Sequence, residues 1–164
     1  MDENDAYQSG EVFLSMVQTE YQNEKDRAAA LDSKIAFSIP IISTYFFLLI
    51  QDTDFKKLWS SGAKSGYFRA FIYLAAIFTA FSSLLWMISA TWTHKLKGLD
   101  IRRSYPMKAM SMTKESFSVK VARDYLRKIE RDREENDDAY KKYQLGWMFS
   151  IGSLFCFLLY ALMT

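Results

Sequence analysis

The residue types that usually carry catalysis are scarce in this chain. His94 is the only histidine and Cys156 the only cysteine, so neither a Cys–His nucleophile pair nor a Cys/His zinc cluster can be assembled. His94 stands at the end of an apolar run beside Lys95 and Lys97, the place of an interfacial residue. The segment SGAKSG, residues 61–66, has a faint phosphate-loop look. It lacks the G-x-x-x-x-G-K-[ST] spacing by which backbone N–H groups surround a phosphate. Glu134, Glu135, Asp137 and Asp138 form an acidic run at helical positions and read as a solvated face, not a metal site. A non-enzymatic protein with no cofactor is the expectation.

Basic residues are the more informative set. Between Lys95 and Lys128 lie ten of them: Lys95, Lys97, Arg102, Arg103, Lys108, Lys114, Lys120, Arg123, Arg127 and Lys128. Only Asp100, Glu115 and Asp124 oppose them, which leaves a net charge of +7. Three readings fit. The first is attraction to anionic lipid, roughly 1 kcal/mol per basic residue near a membrane surface. The second is a site for a phosphorylated, polyanionic ligand, with Arg102 and Arg103 as bidentate phosphate donors. In a symmetric oligomer such charges recur in each copy and can frame one electropositive chamber. The third is docking to an acidic partner, such as the N-terminal helices of neighbouring copies. Residues 1–34 hold eight acids against three bases.

These charges are set among elements of opposite character. Half of the 164 residues are hydrophobic and 24% are charged, but the two classes stand in separate blocks. That is the pattern of a chain facing lipid in some stretches and water in others. Residues 35–50 carry no charge and form a first candidate span, about 24 Å of helix. Snorkelling by Lys34 and slight bilayer thinning close the gap to a hydrocarbon core of roughly 30 Å. Pro40, inside it, is tolerable in a membrane if neighbouring helices or hydroxyls satisfy the freed carbonyl. Residues 51–69 form a polar loop. The uncharged runs 70–92 and 145–163 are the second and third spans.

Outside the spans the pattern is again helical. In residues 1–34, Val12, Phe13, Met16, Val17 and Tyr21 fall on one stripe, predicting an amphipathic helix that runs into the first span. Within 93–144, residues 94–110 hold Gly98 and Pro106 and read as an irregular connection. From about Thr113 to Gln144, Phe117, Val121, Tyr125 and Ile129 recur every four residues, joined by Ala122 and Leu126. Asp124–Lys128, Asp137–Lys141 and Asp138–Lys142 are acid-first pairs one helical turn apart, each worth about 0.3–0.5 kcal/mol. A long stalk helix continuous with the third span is expected. The fold class is therefore an all-α integral membrane protein with three transmembrane helices, an N-terminal amphipathic helix and a stalk.

Orientation follows from lysine and arginine alone. Residues 94–144 hold fourteen of them and residues 51–69 hold four. The large segment and the N-terminus are expected in the cytoplasm, the C-terminus on the far side. The acidic start is no secretory signal, Asn4, Asn23 and Asn136 lack a glycosylation sequon, and the lone cysteine excludes an intramolecular disulfide. A bacterial inner membrane, or another membrane bordering a reducing compartment, suits all of this.

No span contains a charged residue, which argues against a proton pump or ion-coupled transporter. A channel is compatible, since hydroxyls and backbone can line a pore. The second span offers Thr79, Ser82, Ser83 and Ser89 for that purpose. Three helices enclose little polar path, so a pore would need an oligomer. Ala76-x-x-x-Ala80 and Gly146-x-x-x-Ser150 have the spacing of small residues that lets helices approach closely in lipid.

The layout resembles the small transmembrane effectors of bacterial anti-phage systems. The resemblance is carried by the stretch QTEYQNEKDRAAALDSKIAF, with Asp32-Ser33-Lys34 leading into the first span. It is carried also by SFSVKVARDYLRKIERDREENDDAYKKY, which leads into the last and includes the Asn136–Tyr143 stretch, and by the order of elements. The group includes the SLATT effectors, the membrane effectors of CBASS and Pycsar, and the effector of the Hailong system. SLATT proteins are usually described with two spans, and this chain has three candidates. The resemblance implies an oligomeric pore or a membrane-disrupting toxin; for the homo-oligomer a tetramer is the first guess. Its control would lie with a nucleotide or single-stranded DNA oligomer made by a partner nucleotidyltransferase. The alternative is a membrane anchor or adaptor that recruits a cytoplasmic partner through the stalk.

Overall fold

The computed structural model describes residues 3–51, 64–93 and 114–163. They form three helices: α1 (Glu3–Gln51), α2 (Lys64–Thr93) and α3 (Lys114–Leu162). All three are long and apolar enough to cross a membrane, within Gly10–Gln51, Gly66–Trp92 and Ser116–Leu162. The chain is an all-helical membrane protein over the described residues. His94, Lys95, Lys97, Arg102, Arg103 and Lys108 lie outside those residues, as does the connection expected over 94–110.

Burial follows one rule along each helix. In α1, Val17, Glu24, Leu31 and Ser38 are buried seven residues apart, and Ala28, Ile35, Ile42 and Leu49 form a second such row. In α2 the rows are Tyr73, Ala80, Met87 and Ala76, Ser83, Ala90. In α3, Ser118, Tyr125, Asp132 and Ala139 continue to Ser153, beside Ala122, Ile129 and Asn136. A strict seven-residue repeat keeps one seam of a helix against its partner, the packing of left-handed coiled coils. α1 continues through Pro40 without a break; the hydroxyls of Ser38 and Thr44 on either side donate to the carbonyls of Lys34 and Pro40.

The helices divide into two compact units. The first, called here the polar unit, contains α1 up to Ala30 and α3 up to Asp137. Its two helices run in the same direction, since Tyr21 meets Tyr125, Glu24 meets Asn136 and Arg27 meets Asp137. Its apolar core is Val17, Val121, Ala122, Tyr125 and Ile129, with Leu14, Tyr21, Phe117 and Leu126 packed against it. The amphipathic stripe expected near the N-terminus is therefore split. Leu14, Val17 and Tyr21 face α3, whereas Val12, Phe13 and Met16 are exposed, at 54%, 42% and 66%. Periodicity alone put them on one stripe because neighbouring positions of a wide helical face are not separated until the partner helix is known.

The second, the apolar unit, contains α1 from Leu31, all of α2, and α3 from Asp138. Here α1 and α3 again run the same way, with Ser38 beside Tyr143 and Tyr45 beside Ser153. α2 runs against them: Tyr73, near its start, donates to the carbonyl of Leu49 near the end of α1, while Ala90 packs with Leu31, Ile35 and Ala139. Small residues make the inside. Ala76, Ala80, Ala90, Ala139 and Ser83 are fully buried. Large ones make the outside: Phe37, Phe47, Phe71, Phe78, Phe155 and Trp92 are all exposed by more than 60%. Large apolar side chains exposed together in this way suit hydrocarbon rather than water.

Candidate functional site

Two sets of polar side chains could carry function, one in each unit. In the apolar unit the hydroxyls of Thr79 and Ser82 on the second span bond within their own helix. Thr79 donates to the carbonyls of Ala75 and Ala76, and Ser82 to that of Phe78. Ser83 is fully buried and donates across to the carbonyl of Gly146, 2.6 Å away. Ser153 makes the reciprocal contact from α3 to the carbonyl of Ala76, at 2.7 Å. Ser83 thus sits inside the protomer as a tie between α2 and α3, while Ser82 and Ser89 are half-buried.

The close approach at this tie is set by a glycine. A Cβ on Gly146 would stand 2.7 Å from Cγ of Met87 and 3.2 Å from the carbonyl oxygen of Ser83. Ala76, Ala80 and Gly146, members of the two small-residue motifs, all lie in the buried seams. Towards the end of α1, Tyr45, Leu48, Leu49 and Gln51 line, with Phe157, an open groove of about 510 Å³ with mostly apolar walls.

The polar unit has a cluster that the sequence reading missed. Glu24 is 8% exposed and sits in the buried seam of α1. Its carboxylate accepts from Nε of Arg133 at 3.2 Å and from Nδ2 of Asn136 at 3.1 Å; Asn136 lies 3.3 Å from the Glu24 carbonyl as well. Arg133 also donates to Glu20 at 2.9 Å, and Arg27 pairs with Asp137 at 2.6 Å. The bonds to Glu20 and then Glu24 raise the already high pKa of Arg133, so this guanidinium stays charged at every pH the protein meets. Two buried oxygens, Oδ2 of Asp132 and Oδ1 of Asn136, have no hydrogen-bond partner among the described residues.

A sequence signal for this cluster exists. Glu24, Asp132 and Asn136 occupy seam positions of the seven-residue repeat, where a polar residue fixes helix register at some cost in stability. The four-residue spacing of Phe117, Val121, Tyr125 and Ile129 continues to Arg133 and Asp137, and so passes over Asp132 and Asn136. Of the acid-first pairs expected along α3, Asp138–Lys142 forms at 2.7 Å, while Asp137 reaches across to Arg27.

Of the ten basic residues, the four within the described face of α3 are placed. Lys120, Arg123 and Arg127 are exposed, and Lys128 is half-buried with its amine 3.5 Å from Asp132. Arg123 and Arg127, one turn apart, form no salt bridge among the described residues. Lys114 opens α3. Among the described residues, no three His, Cys, Asp or Glu side chains converge as metal ligands. Comparison with protein-family models, with characterised proteins and with solved structures returned no match.

Proposed function

We propose that this chain is a non-enzymatic membrane effector of bacterial anti-phage defence. It forms an oligomeric ion channel whose state is set by a polyanionic nucleotide or oligonucleotide signal. One observation carries the reading. α1 and α3, each 49 residues long, pass without a break from a polar, charge-rich unit into an apolar one. An event that alters the pairing of the two helices in the polar unit is thereby coupled to the spans through continuous backbone.

Control of this kind needs two states of the assembly and a ligand that binds one better than the other. The basic residues from Lys95 to Lys128 supply the affinity for a polyanion, contributed once per copy in a homo-oligomer. The amphipathic N-terminal helix and the stalk are then the cytoplasmic halves of α1 and α3, and the protein sits in the bacterial inner membrane with its C-terminus periplasmic. The signal would come from a partner nucleotidyltransferase acting through its product.

The test is ion flux through liposomes carrying the purified protein, with and without nucleotides and short single-stranded DNA. Flux that changes with one ligand class is expected. Unchanged flux under every condition, with the protein inserted and oligomeric, would overturn the channel reading. It would favour the second one, a membrane anchor that recruits a cytoplasmic partner through the stalk, on which Val119, Lys120, Arg123 and Arg127 stand exposed.

A further inference from the structure

Arg69 carries a donor that the chain leaves unused. The residue is half-buried near the start of α2, and its buried Nε has no hydrogen-bond partner among the described residues. A buried donor on a cation is costly to leave unpaired, so an acceptor belongs there. From Ala70 to Thr93 the helix carries no charge, which sets Arg69 where hydrocarbon gives way to headgroups.

An apolar groove opens at the same end of this unit. Tyr73, one turn beyond Arg69 on the same face of α2, donates to the carbonyl of Leu49 and packs against Tyr160, with ring centroids 4.8 Å apart. Leu49 is a wall of the groove lined also by Tyr45, Leu48, Gln51 and Phe157, and Phe157 precedes Tyr160 by three residues. Because α2 runs against α1, the turn from Tyr73 back to Arg69 rises about 6 Å in the direction in which α1 ends at Gln51. Arg69 and Gln51 are therefore at nearly the same level. From Gln51 the groove's wall runs back to Tyr45, about 9 Å along α1 into the span.

We propose that this end of the apolar unit holds one membrane phospholipid, its phosphate on Arg69 and an acyl chain in the groove. The Nε and Nη donors of a guanidinium lie parallel and match two oxygens of one phosphate. The groove's volume of about 510 Å³ is that of a site for one small organic ligand, roughly 300–1,000 Å³. Its walls hold no spare donor at Tyr45, whose hydroxyl is engaged with Ser153 at 3.3 Å and whose ring stands edge-on to Phe157. The two contacts divide the work. Lipid tails are as apolar as the walls, so an acyl chain gains little by leaving bulk lipid. Retention therefore rests on Arg69, and the groove decides where the chain lies. This site needs only the membrane-spanning character of the unit and is independent of gating.

Native mass spectrometry of the full chain in detergent tests it, with dioleoylphosphatidylglycerol added. One phospholipid adduct per chain is expected, and none with dioleoylglycerol, which has the chains without the phosphate. Arg69→Gln is expected to lower the adduct several-fold. So is Leu48→Trp, which fills the groove from an exposed position. Arg69→Lys keeps the charge without the parallel donors and should lie between parent and Arg69→Gln. It carries the comparison if Arg69→Gln loses its helical circular dichroism, and parent-like retention in it would overturn the two-oxygen contact. A folded Arg69→Gln chain that keeps the lipid as the parent does would overturn the phosphate contact, as would equal retention of dioleoylglycerol. Unaltered binding in Leu48→Trp would overturn the groove as the seat of the acyl chain. Loss of the parent's adduct in millimolar inorganic phosphate would assign Arg69 to free phosphate and overturn the lipid.

Discussion

In the polar unit the seam between α1 and α3 holds Val17, Tyr125 and Ile129 and then Glu24, Asp132 and Asn136, while Val12, Phe13 and Met16 stand outside. In the apolar unit the seams hold Ala76, Ala80, Ser83, Ala90 and Ser153, and the outside is phenylalanine, leucine and tryptophan. The seven-residue repeat is common to both. What differs is the medium that each unit is built for. Against water, a two-helix pair gains from burying its large apolar groups, and a polar layer fixes register at a cost. Against lipid, no hydrophobic gain comes from helix contact, so small residues bring backbones together and hydroxyls tie one helix to the next. Stability in the first unit rests on area and ion pairs, and in the second on closeness.

The sharpest way to break that contrast is to enlarge the closest point. Gly146→Leu places a side chain where a Cβ alone already meets Met87 and the Ser83 backbone. It is expected to cost at least about 3 kcal/mol, the upper end of overpacking penalties, and to abolish a cooperative thermal transition in detergent. The same substitution at Gly152, where an added Cβ meets nothing within 4 Å, is expected to be tolerated within about 0.5 kcal/mol. Equal effects at the two glycines would contradict the close-packing account.

A second test addresses the polar layer. Asn136→Leu alone leaves Oε2 of the buried Glu24 without its donor, with Arg133 still bound to Oε1, and is expected to destabilise by about 1–3 kcal/mol in chemical unfolding. Glu24→Leu combined with Asn136→Leu should cost less than the two single changes added together, because removing both partners leaves no orphan. Strict additivity would mean that the two residues do not act as a unit.

Ser83→Ala then measures a hydroxyl tie in the apolar unit. A loss of about 0.6 kcal/mol is expected, the average for such bonds in membrane proteins. The smallest effect belongs to Arg131→Ala. Arg131 pairs with Glu135 one turn along α3 at 3.1 Å, with its side chain 80% exposed, and exposed pairs contribute only about 0.3–0.5 kcal/mol. Its removal should shift the unfolding midpoint barely, and less still at high salt.

The sequence by itself determined the class of the protein. Three uncharged runs, with their lengths and flanking lysines, identify helices able to cross a membrane, because lipid tolerates no unpaired backbone and few charges. Phe117, Val121, Tyr125 and Ile129 were legible as one face of α3, and Ala76, Ala80 and Gly146 as sites of close contact, since spacing along one helix is a local property. What only the tertiary structure decided is which of several apolar or polar groups a partner helix covers. Val17 rather than Met16 faces α3. Ser83 meets the Gly146 carbonyl, 63 positions away, and Glu24 meets Asn136 at a separation of 112. Such pairs depend on the register of one helix against another, a quantity that no single helix contains.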